Sequence, residues 1–348
     1  MKFSLFAHIE RYDDSKSHRQ LLEELTELVV MAEEGGFDKF WIGEHHAMDF
    51  TCSPNAFVSL AYLAAQTSRI RLGTGTIIAP FYHPIRLAGE IGQLDLMSNG
   101  RLEVGIARGA YMFEYERLFP GLDAMEAGLR MRELIPATQQ LLIGDYAHDG
   151  KYWQFPTTSA VPRTIQQPYP PMWVAARDPN THEFAVAHGC NVQVTPLANG
   201  FEEAVSLMGK FNDACAANPG VARPEVMILE HGYVSRSESE LQEAAENIEI
   251  FYRYFGKWFQ NSAPISKGLI EELTESDFQG NPQYSPENLR ANLPIGTPEQ
   301  LVERFKKYQD LGYSEFSWWM DGHMTFEQKR KGLELFIKEI LPAFNTPN

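Results

Sequence analysis

The feature that most narrows what this chain can become is a regular alternation of short apolar runs with longer helical patterns. Eight runs read as strands: 2–8 (KFSLFAH), 39–43 (KFWIG), 70–78 (IRLGTGTII), 102–107 (LEVGIA), 172–176 (MWVAA), 191–195 (NVQVT), 226–234 (VMILEHGYV) and 315–320 (EFSWWM). The segments between them are amphipathic. In 18–34, residues Leu21, Leu22, Leu25, Leu28, Val29 and Ala32 fall on one helical face, and Gly35-Gly36 supplies a stop. Segments 53–68 and 83–100 follow the same logic, the second with Pro84 near its start and Gly100 just past its end. Further helices are expected over 126–143, 180–188, 201–217, 238–256, 298–311 and 325–341, with Thr297 as an N-cap before Pro298.

Strands separated by helices require crossover connections and therefore a parallel sheet. Eight of them favour closure into an α/β fold of the (β/α)8 TIM-barrel type, a single domain over 1–348. A doubly wound open sheet is the alternative, but no G-x-G-x-x-G follows the first strand, and GTGT at 73–76 lacks that spacing. Two stretches break the alternation, 145–171 and 257–296. The second is rich in Pro, Asn, Gln and Ser and reads as an insertion able to act as a mobile lid.

Charge and cysteine usage remove several function classes. The 46 acidic and 30 basic side chains give a formal charge of −16, a surface that repels phosphate backbones, so nucleic acid is not an expected partner. Any anionic ligand must be held by a local basic or backbone site. Cys52, Cys190 and Cys215 are odd in number and far apart, as for reduced thiols in a reducing compartment. The opening MKFSLFAHIERYDD has no signal-peptide pattern, and no run approaches the roughly 18 apolar residues of a membrane span. A soluble, cytoplasmic protein without membrane contact is expected.

In a barrel of this kind, chemistry sits at the C-terminal strand ends. Here those ends turn polar or glycine-rich together: His8, then Glu44-His45-His46, Gly75-Thr76, Arg108-Gly109, Arg177-Asp178 and Thr195. Adjacent His45 and His46 point to opposite sides of a continuing strand and would rarely share an ion. H-E-x-x-H is absent, and the remaining histidines form no ligand spacing, so no metal site is expected. Acid–base work and plain structural hydrogen bonding both stay open for the two imidazoles. Glycine beside Arg108 in GIARGAY allows close ligand approach, and a guanidinium suits phosphate. ARDPNTHEF offers a helix N-terminus with Asp178 or Asn180 as cap, also suited to phosphate. An ion pair for Arg108 and an ordinary cap at 177–181 remain open.

The motifs GFDKFWIGEHH, RLGTGTIIAPFYHPIRLAGEIGQLDLMSNGRLEVGIARGAY, VAARDPNTHEFAVAHG, PIGTPEQLVERF and LFIKEILPAF carry a resemblance. The chain resembles the bacterial luciferase-like, flavin-dependent monooxygenase family and its luciferase α subunits in particular, with the block 36–111 the most specific. The resemblance implies a single barrel with an insertion after the seventh helix and FMN bound, as FMNH2, at the strand C-termini. It implies a non-prolyl cis peptide at Gly75-Thr76 under the flavin ring, with Ala107 and Ala175 lining that ring. Arg108 and the backbone at Arg177, Asp178 and Thr181 match a phosphate site. His45 matches a catalytic histidine acting as general acid or base. Phe6, His8, Tyr111, Met112, Glu114 and Trp258 fall around the substrate pocket, with Phe113 beside them.

The activity so implied is oxygenation of a small, largely apolar organic substrate by FMNH2 and O2 through a C4a-hydroperoxyflavin, which survives only where water is excluded. The chain has no nicotinamide fingerprint, so FMNH2 would come from a separate NAD(P)H-dependent flavin reductase. A homodimer through 53–68 and 84–97 is expected from the same resemblance. F420-dependent hydride transfer on the same barrel and a non-catalytic flavin-binding subunit are the alternatives. Two departures stand out: Ala107 replaces the reactive cysteine of luciferase, and Arg177 replaces a carboxylate. Together they argue against light emission.

Overall fold

Every one of the eight expected strands enters a single sheet. In the computed structural model, which describes residues 1–344, they are β1 (Lys2–Ala7), β2 (Lys39–Ile42), β3 (Arg71–Ile78), β4 (Leu102–Ala107), β5 (Met172–Ala175), β6 (Asn191–Val194), β7 (Val226–His231) and β8 (Glu315–Trp319). Each pairs in parallel with its neighbours in sequence order, and β1 pairs with β8, closing the barrel. Residues 345–348 of the expected domain lie outside the described residues.

The run 226–234 divides where one strand was expected. β7 stops at His231, and Tyr233–Val234 pair instead with Ile295–Gly296. Gly232 makes the division possible, because a Cβ there would stand 2.8 Å from the Pro294 carbonyl oxygen.

The long helices are α1 (His18–Gly35), α2 (Ala56–Gln66), α3 (Pro84–Met97), α4 (Ala124–Ile143), α5 (Pro179–Ala187), α6 (Gly200–Ala217), α7 (Glu238–Gln260), α8 (Pro298–Leu311) and α9 (Phe326–Leu335). Local chemistry sets their ends. Ser17 accepts the Gln20 N–H at the start of α1, and Gly36 closes it in the left-handed region at φ 91°. Thr297 and Gln300 form a capping box on α8, which Gly312 ends at φ 108°. α2 starts later than expected because Asn55, not a residue before Ser53, caps it. The expected helix 325–341 is regular only to Leu335 and continues as a π turn over Phe336–Ile340.

One helix does not belong to the outer ring. Phe251, Tyr252 and Trp258 of α7 belong to a buried cluster with Phe6 and Trp319 at the barrel mouth, a cluster that continues down to Trp41 and Trp173. Leu301, Phe305 and Tyr308 of α8 instead join the core between sheet and outer helices. α8 is therefore the seventh helix of the ring, and the excursion runs from 232 to 296. It therefore precedes the seventh ring helix rather than following it, and it begins before residue 257 because it includes α7, whose apolar face packs over the strand ends. Residues 257–296 themselves hold the end of α7, a small hairpin (Ile265–Ser266 with Leu269–Ile270) and the short helix Pro286–Asn292. The other irregular stretch, 145–171, holds an antiparallel hairpin of Tyr146–Asp149 and Gln154–Thr158.

The barrel floor is ionic. Lys39, 3% exposed, places Nζ 2.9 Å from Glu315 and 3.2 Å from Glu103. Glu315 also accepts from Ser4 Oγ and Trp41 Nε1, while Glu103 accepts from Trp173 Nε1 and Arg71 Nε. Burial opposes the Lys39 charge, but Glu315 and Glu103 outweigh it and hold its pKa above the ordinary lysine range. On this floor the Trp41 and Trp173 rings meet edge to face at 5.3 Å. Gly73 gives them room: a Cβ there would lie 2.1 Å from the Trp41 ring.

Removing the single ammonium strands buried carboxylate. Lys39→Met is expected to cost about 3 kcal/mol or more in urea unfolding. Adding Glu315→Gln to that variant should recover part of the loss; a single variant as stable as the parent would show that the network carries no weight.

Candidate functional site

β2 ends at Ile42, and the chain then leaves the strand conformation, so His45 and His46 are not disposed by strand alternation. Two buried carboxylates sort them instead. Glu114, 1% exposed, lies 3.2 Å through Oε2 from His45 Nδ1 and accepts the His46 backbone N–H on Oε1 at 2.7 Å. Glu44, equally buried, lies 3.0 Å from His46 Nε2 and accepts the Tyr82 hydroxyl. His46 thus turns away and packs its ring on Phe81. His45 joins the wall of the central cavity with its Nε2 unpartnered among the described residues, flanked by His8 at 5.1 Å and Tyr111 at 5.0 Å.

His8 and His46 are pushed in opposite directions by their surroundings. Burial, then the neighbouring His45 and His231, push the His8 pKa well below the ordinary value and keep the ring neutral. Its place next to the strand end depends on Gly43, where a Cβ would stand 2.3 Å from the ring. Burial also opposes charge on His46, but the hydrogen bond to Glu44 and the charges of Glu44 and Glu114 hold its pKa above the ordinary value.

The cavity has two adjoining lobes. The smaller, about 350 Å³, is walled by Gly75, Thr76, Ala107, Arg108, Ala175, Arg177, Asp178 and Thr181, which are all the residues expected at a cofactor. The Gly75–Thr76 peptide is cis. Small side chains on β3, β4 and β5 leave a flat slot, and two guanidinium groups stand at its rim. Arg108 donates to the Ala124 carbonyl, and Arg177 pairs with Glu203 at 3.1 Å. Asp178, not Asn180, caps α5: its carboxylate takes both the N–H and the hydroxyl of Thr181. Anion-holding capacity at this rim therefore rests on the two arginines more than on the helix terminus.

The larger lobe, about 750 Å³, is aromatic. Phe6, Phe255, Phe259, Tyr284 and Trp319 form much of its wall, and His8 belongs to both lobes. Of the residues expected around a substrate, Phe6 and His8 line it. Tyr111 and Glu114 instead lie behind His45. Met112 begins a short helix and is 39% exposed outside the cavity, because its neighbours Tyr111 and Phe113 take the inward positions. Trp258 packs on Phe50 and Phe113, away from the lobe, with Phe113 likewise buried in that contact. Helical spacing explains the exchange: Phe255 and Phe259 share the cavity face of α7, and Trp258 is turned about 100° from Phe259. Gln193 was missed, although the alternation of 191–195 places it inward with Thr195. Tyr284 ends a single 3-10 turn, Pro282–Tyr284, too short to leave a periodic signal.

Among the described residues, His18, Asp49 and Cys52 bring ligand-type atoms within 4.8 Å of one another, outside the cavity. Asp49 is already engaged by Arg11 and His18.

Residues 1–315 match the luciferase-like monooxygenase family. The oxygenase component of a flavin-dependent trigonelline monooxygenase from Acinetobacter baylyi is 53% identical over 345 residues, covering 99% of this chain and 96% of that one. An alkanal monooxygenase alpha chain from Photorhabdus luminescens is 24% identical, over 94% of this chain and 92% of its own. Among solved structures, a monooxygenase from Streptomyces bottropensis superposes with a TM-score of 0.84 at 26% identity, covering 99% of this chain and 100% of that one.

Because the folded pKa of His46 exceeds an unfolded value of about 6.5, its stabilising pair with Glu44 is fully present below that pH. It is lost as pH rises through the folded value. Imidazole NMR between about pH 5 and 8 should show His46 titrating above 6.5 and His8 remaining neutral. Glu44→Gln should bring the His46 midpoint down; an unmoved midpoint would exclude the carboxylate as its cause.

Proposed function

This chain belongs to the luciferase-like monooxygenase family, and we propose that it is the oxygenase component of a two-component flavin-dependent system. On this reading a separate NAD(P)H-dependent flavin reductase delivers FMNH2, and the oxygenase uses it with O2 to oxygenate a small planar substrate. The observation that carries the reading is the two-lobed cavity, with a small-residue slot rimmed by Arg108 and Arg177 that opens into an aromatic chamber. The A. baylyi relative points to the substrate class, N-methylpyridinium carboxylates such as trigonelline. Its flat cationic ring suits the faces of Phe6, Phe255, Phe259 and Trp319, and this reading replaces the expected largely apolar substrate with a planar, zwitterionic aromatic one.

The residues fit FMN. Guanidinium groups at the rim suit its phosphate, and Gly75, Thr76, Ala107 and Ala175 leave width for a flat ring system. When bound, reduced FMN supplies the two electrons that activate O2. The chain's own work is to position and to exclude. Glu114 fixes Nδ1 of His45, so Nε2 is the atom that gives or takes a proton in the cavity. His8, held neutral and with Nδ1 unpartnered, can offer a hydrogen bond without adding charge. Phe259, Asn281 and Tyr284 bring the segment 257–296 into the chamber wall, which supports its role as a lid that keeps water out.

Val58 and Tyr62 on α2 and Leu96 and Met97 on α3 are exposed, which supports these helices as the contact with a second copy of the chain. No helix among the described residues is long and apolar enough to cross a membrane.

Supplied with FMNH2 by a flavin reductase and NADH, the protein should consume O2 and trigonelline in step. His45→Gln is expected to keep FMNH2 affinity within about tenfold while slowing oxygenation by roughly 10²-fold. Undiminished turnover in that variant would remove His45 from the mechanism. Tight FMNH2 binding with no loss of trigonelline would reject the substrate class, and no FMNH2 binding would reject the cofactor.

A further inference from the structure

Among the described residues, several aromatic and amide side chains hold buried polar atoms without a hydrogen-bond partner, some in packed core and some at the cavity. Those of His182, His231 and Trp258 are enclosed by packed core, away from the cavity. Those of His8, Trp319 and Gln193 belong to residues of the cavity wall. Gln193 differs from the other two in kind. Its residue is 6% exposed, it lines both lobes, and Nε2 is buried without a partner. A buried amide with nothing to bond is disfavoured, so its retention marks a partner that arrives from outside the chain.

The backbone around it is arranged to make room for that carboxamide. Gln193 on β6 lies opposite Ala175 on β5, whose side chain is too short to obstruct it. From there it reaches toward Gly105 on β4, where a Cβ would lie 3.0 Å from Oε1 and 3.1 Å from Nε2. Strand alternation puts it one layer above Trp173, at the inner end of the slot whose rim carries Arg108 and Arg177.

A carboxamide sets an acceptor and a donor side by side, so its complement is a group with a donor and an acceptor side by side. A carboxylate can accept from Nε2 but offers Oε1 no donor, and an N-methylpyridinium ring offers neither, so the proposed substrate satisfies at most half of the carboxamide. The dioxopyrimidine ring of a flavin satisfies both halves, because its N3–H lies between two carbonyl groups. We propose that Gln193 pairs with this imide edge, Oε1 accepting the N3–H and Nε2 donating to an adjacent carbonyl oxygen. Gln193 is then a positioning residue that admits the isoalloxazine with its polar edge toward the barrel floor and its apolar edge outward. This inference rests on the flavin reading above.

The test is binding, not turnover. Reduced FMN and reduced N3-methyl-FMN are titrated anaerobically into the parent protein and into Gln193→Met, which keeps the volume and removes both hydrogen-bonding groups. N3-methylation should weaken binding to the parent by about tenfold or more and to Gln193→Met by less than about threefold, the coupling expected of a directly paired donor and acceptor. Equal weakening in both proteins would make the methyl effect purely steric and overturn the proposal, as would no weakening in the parent. Should Gln193→Met fail to fold, Gln193→Asn withdraws the same pair by one methylene and must lose the same discrimination. Failure of unmethylated FMNH2 to bind the parent would reject the flavin reading itself. Normal binding without methyl discrimination would reject only the role of Gln193.

Discussion

One ammonium group shared between two carboxylates at the bottom of the barrel is the constraint on which the upper half depends. Lys39 meets Glu103 and Glu315 in the buried barrel interior, and charges so placed are tolerable only when they are paired and hydrogen-bonded. The partners are Ser4, Trp41, Arg71 and Trp173. Two of these are indoles, and anchoring their N–H groups to the floor fixes the rings above it. The lower half of the barrel is thereby filled, and open volume is confined to the C-terminal half, where the strand ends carry their polar residues.

Glycine and alanine on β3, β4 and β5 follow from that filling. Gly73 admits the Trp41 ring, Gly105 admits the end of Gln193, and Ala107 and Ala175 leave the slot open. The replacement of a luciferase cysteine by Ala107 fits this pattern, since an inert methyl group narrows the slot less than a thiol. The other departure, Arg177, adds less charge than its sequence suggests, because Glu203 pairs with it. Net anion attraction at the rim is then a balance between Arg108, Arg177 and the Asp178 carboxylate that caps α5.

Above the slot, the excursion between β7 and α8 decides the chemistry of the chamber. The α7 helix has one strongly apolar face, and it buries that face over strand ends rather than against the outer ring. Phe255 and Phe259 enter the chamber wall as a consequence, and the loop carrying Asn281 and Tyr284 closes the far side. The chamber wall is thus drawn in part from a segment far in sequence from His45. The orientation of His45 comes from Glu114, on yet another element, the short helix that begins at Met112.

The sequence by itself determined the alternation of strands and helices, and through it the barrel, because hydrophobic period and capping chemistry are local properties. All eight strands were legible, as were the helix ends set by Gly36 and Thr297. The polar strand ends that wall the smaller lobe were legible too, since parallel strands must all point their C-termini the same way. Tertiary structure alone decided what depends on contacts between distant residues. Neither the pairing of His45 with Glu114, 69 positions away, nor the ionic floor joining Lys39 to Glu315 has a periodic signature. The same holds for the removal of α7 from the ring and for the turning of Trp258 away from the cavity. A helical face shows that it is apolar; only the packed molecule shows which surface it covers.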